Sequence, residues 1–174
     1  MPDPQPSTAP KDVETSDVEK LWTLIGRFGA CMFATSDDGV IRSRPMRPTV
    51  RREENAIYFL TDARSHKIEE IEGDHTATLI FSDAVGNTFA SVHGEARVLD
   101  DRALVRALWT PADAAWWEGV EDPNVRALEI TPIDGQFWDG PNWVAGALIR
   151  TAAAVVGAHP DLGEARKVEM PKPS

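Results

Sequence analysis

The sequence predicts a mainly antiparallel β-sheet or small β-barrel with short peripheral helices, on three observations. Short runs of strand-forming residues recur along the chain, and turn signals of hairpin length separate them. The helical patterns between them are few and short. None of the glycine patterns of a doubly wound nucleotide fold is present.

The elements follow in order. Val18, Leu21, Trp22, Ile25 and Phe28 have helical spacing, behind a Ser16-x-x-Glu19 capping-box pattern. The folded part is therefore expected to begin near Ser16. Four of the thirteen prolines fall in the first ten residues, so residues 1–15 read as a mobile tail. Residues 30–35 form an apolar strand that ends at the Asp37-Asp38-Gly39 turn. The return strand, 40–50, holds Pro45 and Pro48 and must lie at an edge or bend. Further strands are read at 56–61, 76–82, 89–99 (with Gly94 as a bulge position) and 125–131, and 136–138 closes the sheet. Short helices are read at 65–71, 102–109 (capped by Asp100-Asp101) and 112–117. In all, about six antiparallel strands make one domain over residues 16–157. Residues 143–157 read as its last helix, and 158–174 as a second tail.

The chain has 174 residues and a formal net charge of −10. That balance argues against a general nucleic-acid binder and against an anionic-membrane binder. The single Cys31 cannot form an internal disulfide, and no secretory leader or 18-residue apolar run is visible, so a cytoplasmic protein is expected. Cys31 itself reads as a buried, inert thiol. The charge is uneven, however. Residues 42–67 carry Arg42, Arg44, Arg47, Arg51, Arg52, Arg64 and Lys67 against Glu53, Glu54 and Asp62, a net +4 inside an otherwise −14 chain. Such an island points to a bound anion.

Its sharpest local signal is Thr61-Asp62-Ala63-Arg64-Ser65-His66-Lys67, where a strand ends and a helix begins. Free N–H groups at a helix start attract anions, and a hydroxyl with a lysine there completes a phosphate cradle. Arg44 on the neighbouring strand adds a bidentate grip. The competing reading makes Ser65 a plain N-cap and Lys67 a solvated charge. Five of six tryptophans (Trp109, Trp116, Trp117, Trp138, Trp143) fall in the last 66 residues, as core, interface or stacking planes. The histidines lack metal-site spacing, so no metal and no axial haem ligand is expected.

Taken together, these residues resemble the pyridoxamine-phosphate-oxidase-like split barrels, and within them the general-stress-protein branch. The resemblance runs from about Val18 to Gly140. It rests on Gly39-x4-Arg44-Pro45-Met46, Tyr58-Phe59-Leu60-Thr61-x3-Ser65-x-Lys67 and Ser91-Val92-x-Gly94-x-Ala96 with Asp100. Leu108-Trp109-x-Pro111, Asp122-Pro123 and Phe137-Trp138-Asp139 complete the series.

The resemblance implies a split β-barrel that binds FMN as a homodimer, with flavins at the subunit interface. It assigns Arg44 and Lys67 to the phosphate, with Ser65 and His66 beside them. Thr61, with Leu60 and Pro45-Met46, would line the ribityl chain and isoalloxazine, and Trp138 of the opposite subunit would cover a flavin edge. The Arg-x-His motif with which the oxidase holds pyridoxal phosphate has no counterpart in residues 142–148, which argues against that reaction. Three readings stay open: a flavin oxidoreductase with unidentified reductant and acceptor, a non-catalytic flavin-binding stress or sensor protein, and a deazaflavin reductase on the same barrel.

Overall fold

The computed structural model describes residues 11–140 and 165–171. The elements are α1 (Lys11–Ile25), β1 (Cys31–Asp37), β2 (Val40–Met46), β3 (Thr49–Arg51), β4 (Ala56–Asp62), α2 (His66–Gly73), β5 (Thr76–Asp83), β6 (Thr88–Leu99), α3 (Arg102–Leu108), β7 (Val125–Asp139) and β8 (Arg166–Glu169). Short 3₁₀ turns cover Arg52–Glu54 and Pro111–Ala115. Six strands are long, as expected, while β3 and β8 are short additions.

All strand pairs are antiparallel, in the order β2-β1-β5-β6-β7-β4-β3, with β8 beside β7. The two strands at the ends of that order, β2 and β3, are neighbours in the chain and are joined by only Arg47 and Pro48. From Met46 to Thr49 the chain takes three Cα–Cα steps, at most about 11 Å, so the sheet must curl until its ends come close. The barrel is thus closed by covalent chain and not by a ladder, which leaves a split. Both expectations for the proline-bearing strand hold: it lies at the sheet's edge, and it bends at Pro48.

The barrel interior is filled by Phe33, Phe59, Phe81, Leu79, Val92, Leu128 and Ile130, all essentially inaccessible, and is capped by Leu21, Trp22 and Ile25 of α1. A second cluster lies on the outer face of β4 and β7. There Tyr58, Val125 and Ala127 pack under Val105 and Leu108 of α3, with Trp109 and Trp117 against them. Strand β4 is therefore buried on both faces over Ala56–Phe59.

Three boundaries differ from expectation. Helix α1 begins at Lys11 instead of Ser16, because residues 11–15 contain no proline or glycine to stop it. The 136–138 strand is not separate but the end of a 15-residue β7. Residues 166–169, expected in a mobile tail, form β8: Val168 and Met170, two apart, share a face and are both buried. The expected helix at 143–157 lies outside the described residues. Asp101 does cap α3, its Oδ1 accepting from the Leu104 N–H at 3.0 Å. Cys31 is buried, and desolvation pushes its thiol pKa up to about 12, as fits an inert thiol.

Candidate functional site

A cavity of about 550 Å³ opens where the barrel is split. Arg44, Pro45, Met46 and Arg47 reach it from the end of β2. Leu60, Thr61 and Asp62 come from the end of β4, and Lys67 from the first turn of α2. The segment after α3 supplies Thr110, Asp113, Trp116 and Trp117, with Leu108 behind them. Six of the nine residues assigned from sequence, Arg44, Pro45, Met46, Leu60, Thr61 and Lys67, thus share one cavity.

Its electrostatics depend on how the two inner cations are held. Arg44 donates from Nη2 to Glu70 Oε2 and from Nη1 to Thr35 Oγ1, both at 2.5 Å, and Thr35 in turn donates to Glu70. The Glu70 side chain is only 9 % exposed. Burial pushes its carboxyl pKa up, but the hydrogen bonds from Thr35 and Arg44 outweigh this and hold it below the ordinary range. Arg44 is therefore neutralised and oriented along one edge of its guanidinium, and its remaining donors stay available.

Lys67 is different. Its Nζ donates to Thr61 Oγ1 at 2.8 Å and Ser65 Oγ at 3.3 Å, and among the described residues it forms no ion pair. Desolvation, then repulsion from Arg44, pushes its pKa below the ordinary lysine value. Ser65 occupies the N-cap position of α2, yet its hydroxyl makes no cap hydrogen bond. In that turn the Ile68 N–H donates to the Ser65 carbonyl at 2.9 Å, so the helix start offers an anion the N–H groups of His66 and Lys67.

Among the described residues, the buried polar side chains are Thr35 and Thr61, each about 1–2 % exposed. Both serve this site, one on Arg44 and the other on Lys67. Asp62 also lines the cavity, but its carboxylate is engaged by the Arg64 backbone N–H (2.8 Å), Nε (3.0 Å) and Nη2 (2.7 Å). The Arg64 guanidinium pulls its pKa down to about 2. An anion entering the cavity would therefore meet Lys67 as the inner cation with no carboxylate partner.

Three assigned residues lie elsewhere. Ser65 sits just behind Lys67, outside the lining. The His66 side chain is 93 % exposed and faces Glu69 at 3.3 Å, on the other side of α2. It borders a separate groove of about 700 Å³ that holds Asp37, Asp38, Glu69, Glu70 and Asp74 against Arg42. That groove repels phosphate, and among the described residues no group of three or more His, Cys, Asp or Glu is arranged to hold a metal. His66, the first residue of α2, thus borders this second groove and not the lining of the Arg44–Lys67 cavity. Trp138 lies near the end of β7, paired with Phe89 of β6, and does not line the cavity of its own chain.

The residues missed from sequence are Glu70, Thr35 and the Arg47–Thr110–Asp113–Trp116–Trp117 wall. Glu70 and Arg44 are 26 residues apart, so nothing local announced their pairing. The tryptophans stood out as a group, without a position.

An antiparallel barrel closed by its own chain, with a cavity at the split that Arg44, Arg47 and Lys67 line, is a split barrel by fold. The chain belongs to the pyridoxamine 5'-phosphate oxidase-like family, whose model matches residues 16–161. It is 31 % identical over 119 residues to general stress protein 26 of Bacillus subtilis, covering 67 % of this chain and 84 % of that protein. A crystal structure from Jannaschia sp. CCS1, provisionally assigned to general stress protein 26, superposes with a TM-score of 0.72 at 24 % identity, over 89 % of this chain and 99 % of that one. The general stress FMN/FAD binding protein of Xanthomonas citri matches at a TM-score of 0.61 and 29 % identity, over 71 % and 89 %. No helix among the described residues is long and apolar enough to cross a membrane.

Proposed function

We propose that the chain is a flavin-binding protein of the general stress type, that FMN is its cofactor, and that it works as a homodimer. The observation that carries this reading is Lys67, a half-buried cation with hydroxyl partners and no carboxylate partner among the described residues, sharing one cavity with Arg44 at a helix start. A phosphate carrying nearly two charges is the complement that such a pocket lacks. The named Xanthomonas citri relative, described as binding FMN or FAD, points the same way.

In this reading Lys67 and the free edge of Arg44 hold the phosphate, with the Ser65 hydroxyl and the α2 N–H groups behind it. Thr61, Leu60 and the Pro45-Met46 backbone line the ribityl chain and ring. Glu70 and Thr35 keep Arg44 pointing into the cavity. When bound, the flavin would supply one- or two-electron redox chemistry between a reductant and an acceptor. The protein supplies binding, orientation and electrostatics. The described ionisable side chains of the cavity bind and orient: Lys67 and Arg44 are cations that hold the anion, Asp62 is tied to Arg64 and Asp113 to Thr110.

Titration of FMN into the purified protein tests this. Arg44→Ala and Lys67→Ala are each expected to weaken FMN by about 1.5–3 kcal/mol, the scale of a hydrogen bond to a charged group. A protein that FMN neither colours nor stabilises against heat would end the proposal.

A further inference from the structure

We infer that the cavity wall formed by Arg47, Thr110, Asp113, Trp116 and Trp117 is a second-ligand subsite, shaped for a planar aromatic ring that carries an oxyanion. The inference rests on the reading above that the Arg44–Lys67 end takes the phosphorylated cofactor. It concerns the opposite wall, which that cofactor's phosphate grip does not use.

Three features make this wall more than the back of a pocket. The first is Trp116, 79 % exposed while lining the cavity. A lone exposed aliphatic residue on a surface needs no explanation. A tryptophan left open over a concave site offers a large stacking plane at low entropic cost.

The second is that the wall is built in advance. Thr110 and Asp113 form a reciprocal capping box, with the Thr110 N–H and Oγ1 each donating to Asp113 Oδ2 at 2.7 Å. The backbone N–H groups of Trp116 and Trp117 both donate to the Asp113 carbonyl, at 2.9 and 3.3 Å. Trp117 is further held against Trp109, with ring centroids 6.2 Å apart. Farther along, Arg102 donates to the carbonyls of Asp122 and Val125 at 2.8 Å, which pins the loop that follows the tryptophans.

The third feature is Arg47. It is exposed at the cavity and, among the described residues, forms no ion pair and makes one side-chain hydrogen bond, from Nη1 to Thr110 Oγ1 at 3.2 Å. The facing carboxylate, Asp113, already accepts twice from Thr110. Arg47 thus presents a guanidinium whose one side-chain partner among the described residues is a hydroxyl, in the same cavity lining as an open indole. An aromatic ring stacked on Trp116 with an oxyanion toward Arg47 satisfies both.

Two probes separate the parts: anthraquinone-2-sulfonate, which has both ring and oxyanion, and 1,4-naphthoquinone, which has the ring alone. Their binding is measured by equilibrium dialysis against the full chain, with and without FMN. Trp116→Ala is expected to weaken both probes at least fivefold. Arg47→Ala should weaken only the sulfonate, about tenfold. Wild-type binding of both probes by both variants overturns the subsite, as does competitive displacement of the sulfonate by FMN. If FMN itself fails to bind but the probes keep these dependences, the cofactor reading falls and the subsite stands. If FMN binds and the probes ignore both substitutions, the subsite alone falls.

Discussion

Lys67 and Arg44 are both cations of one island, yet their surroundings give them different tasks. Arg44 shares its charge with Glu70 and is held in place by it; among the described residues Lys67 is hydrogen-bonded to hydroxyls alone, and burial disfavours its charged form. A bound phosphate would counter that effect and raise the Lys67 pKa from its lowered value. The group then binds protons more tightly in the complex than in the free protein, so binding takes up protons in that interval. FMN affinity is accordingly expected to fall as pH rises through the lowered Lys67 pKa, before the ordinary lysine value of 10.5 is reached. Calorimetry in two buffers of different ionisation enthalpy would read the proton uptake directly. Lys67→Arg, which cannot lose its proton, should abolish the alkaline decline while retaining binding. A pH-independent affinity in the wild type up to 10.5 would contradict this role for Lys67. The pair itself was legible in the sequence, because Ser65-x-Lys67 is a local pattern and Arg44 lies in a short charged stretch. Glu70 was not: it looks like any exposed helix acid until tertiary packing brings it under β2.

At the scale of elements, the longest ladder shows how the barrel is bent. Strands β6 and β7 pair over most of their length, but the register slips between His93 and Gly94, where Ile133 is the extra residue on β7. The sequence marks this point through Gly94, although the bulged residue is on the partner strand. The glycine is needed for space. A Cβ there would lie 2.5 Å from the Thr131 carbonyl oxygen and 2.9 Å from Ile130 Cγ2, so the ladder itself would have to shift. Gly94→Ala is expected to destabilise the fold by about 1–3 kcal/mol. A lower urea midpoint at unchanged slope would show this, and an unchanged midpoint would refute it. Other elements were readable to differing degrees for similar reasons. The hairpin at Asp38-Gly39 was plain, because two successive positive φ values need such residues. Strand β8 was hidden, since four residues with one buried valine among charges carry almost no periodic signal. Segment 112–117 read as a helix, but only a 3₁₀ turn over Pro111–Ala115 forms, because Pro111 starts it and the capping box of Thr110 and Asp113 closes it after one turn.

The whole molecule presents a contrast between its charge and one face. With a net charge of −10, two copies repel unless a specific surface outweighs the repulsion. Screening at physiological salt confines that repulsion to about 8 Å, so an apolar patch of modest size is enough. The outer face of the sheet offers one. Met32 of β1 stands opposite Ile80 of β5, and Phe89 of β6 opposite Trp138 of β7, with Met32, Ile80 and Phe89 each 38–44 % exposed. Met32 also pairs with Pro45 of β2, so the patch continues to the rim of the cavity. A twofold contact over this face is self-complementary. Trp138 lies at this face and does not line the cavity of its own chain. The wild-type chain is therefore expected to sediment as a dimer at micromolar concentration. Ile80→Lys, which puts a charge at the centre of the patch, should yield a folded monomer with weaker FMN binding. A wild-type monomer would remove the dimer from the account. A monomeric Ile80→Lys variant with undiminished FMN affinity would instead show that the cavity between Arg44, Lys67 and Trp116 is complete within one chain.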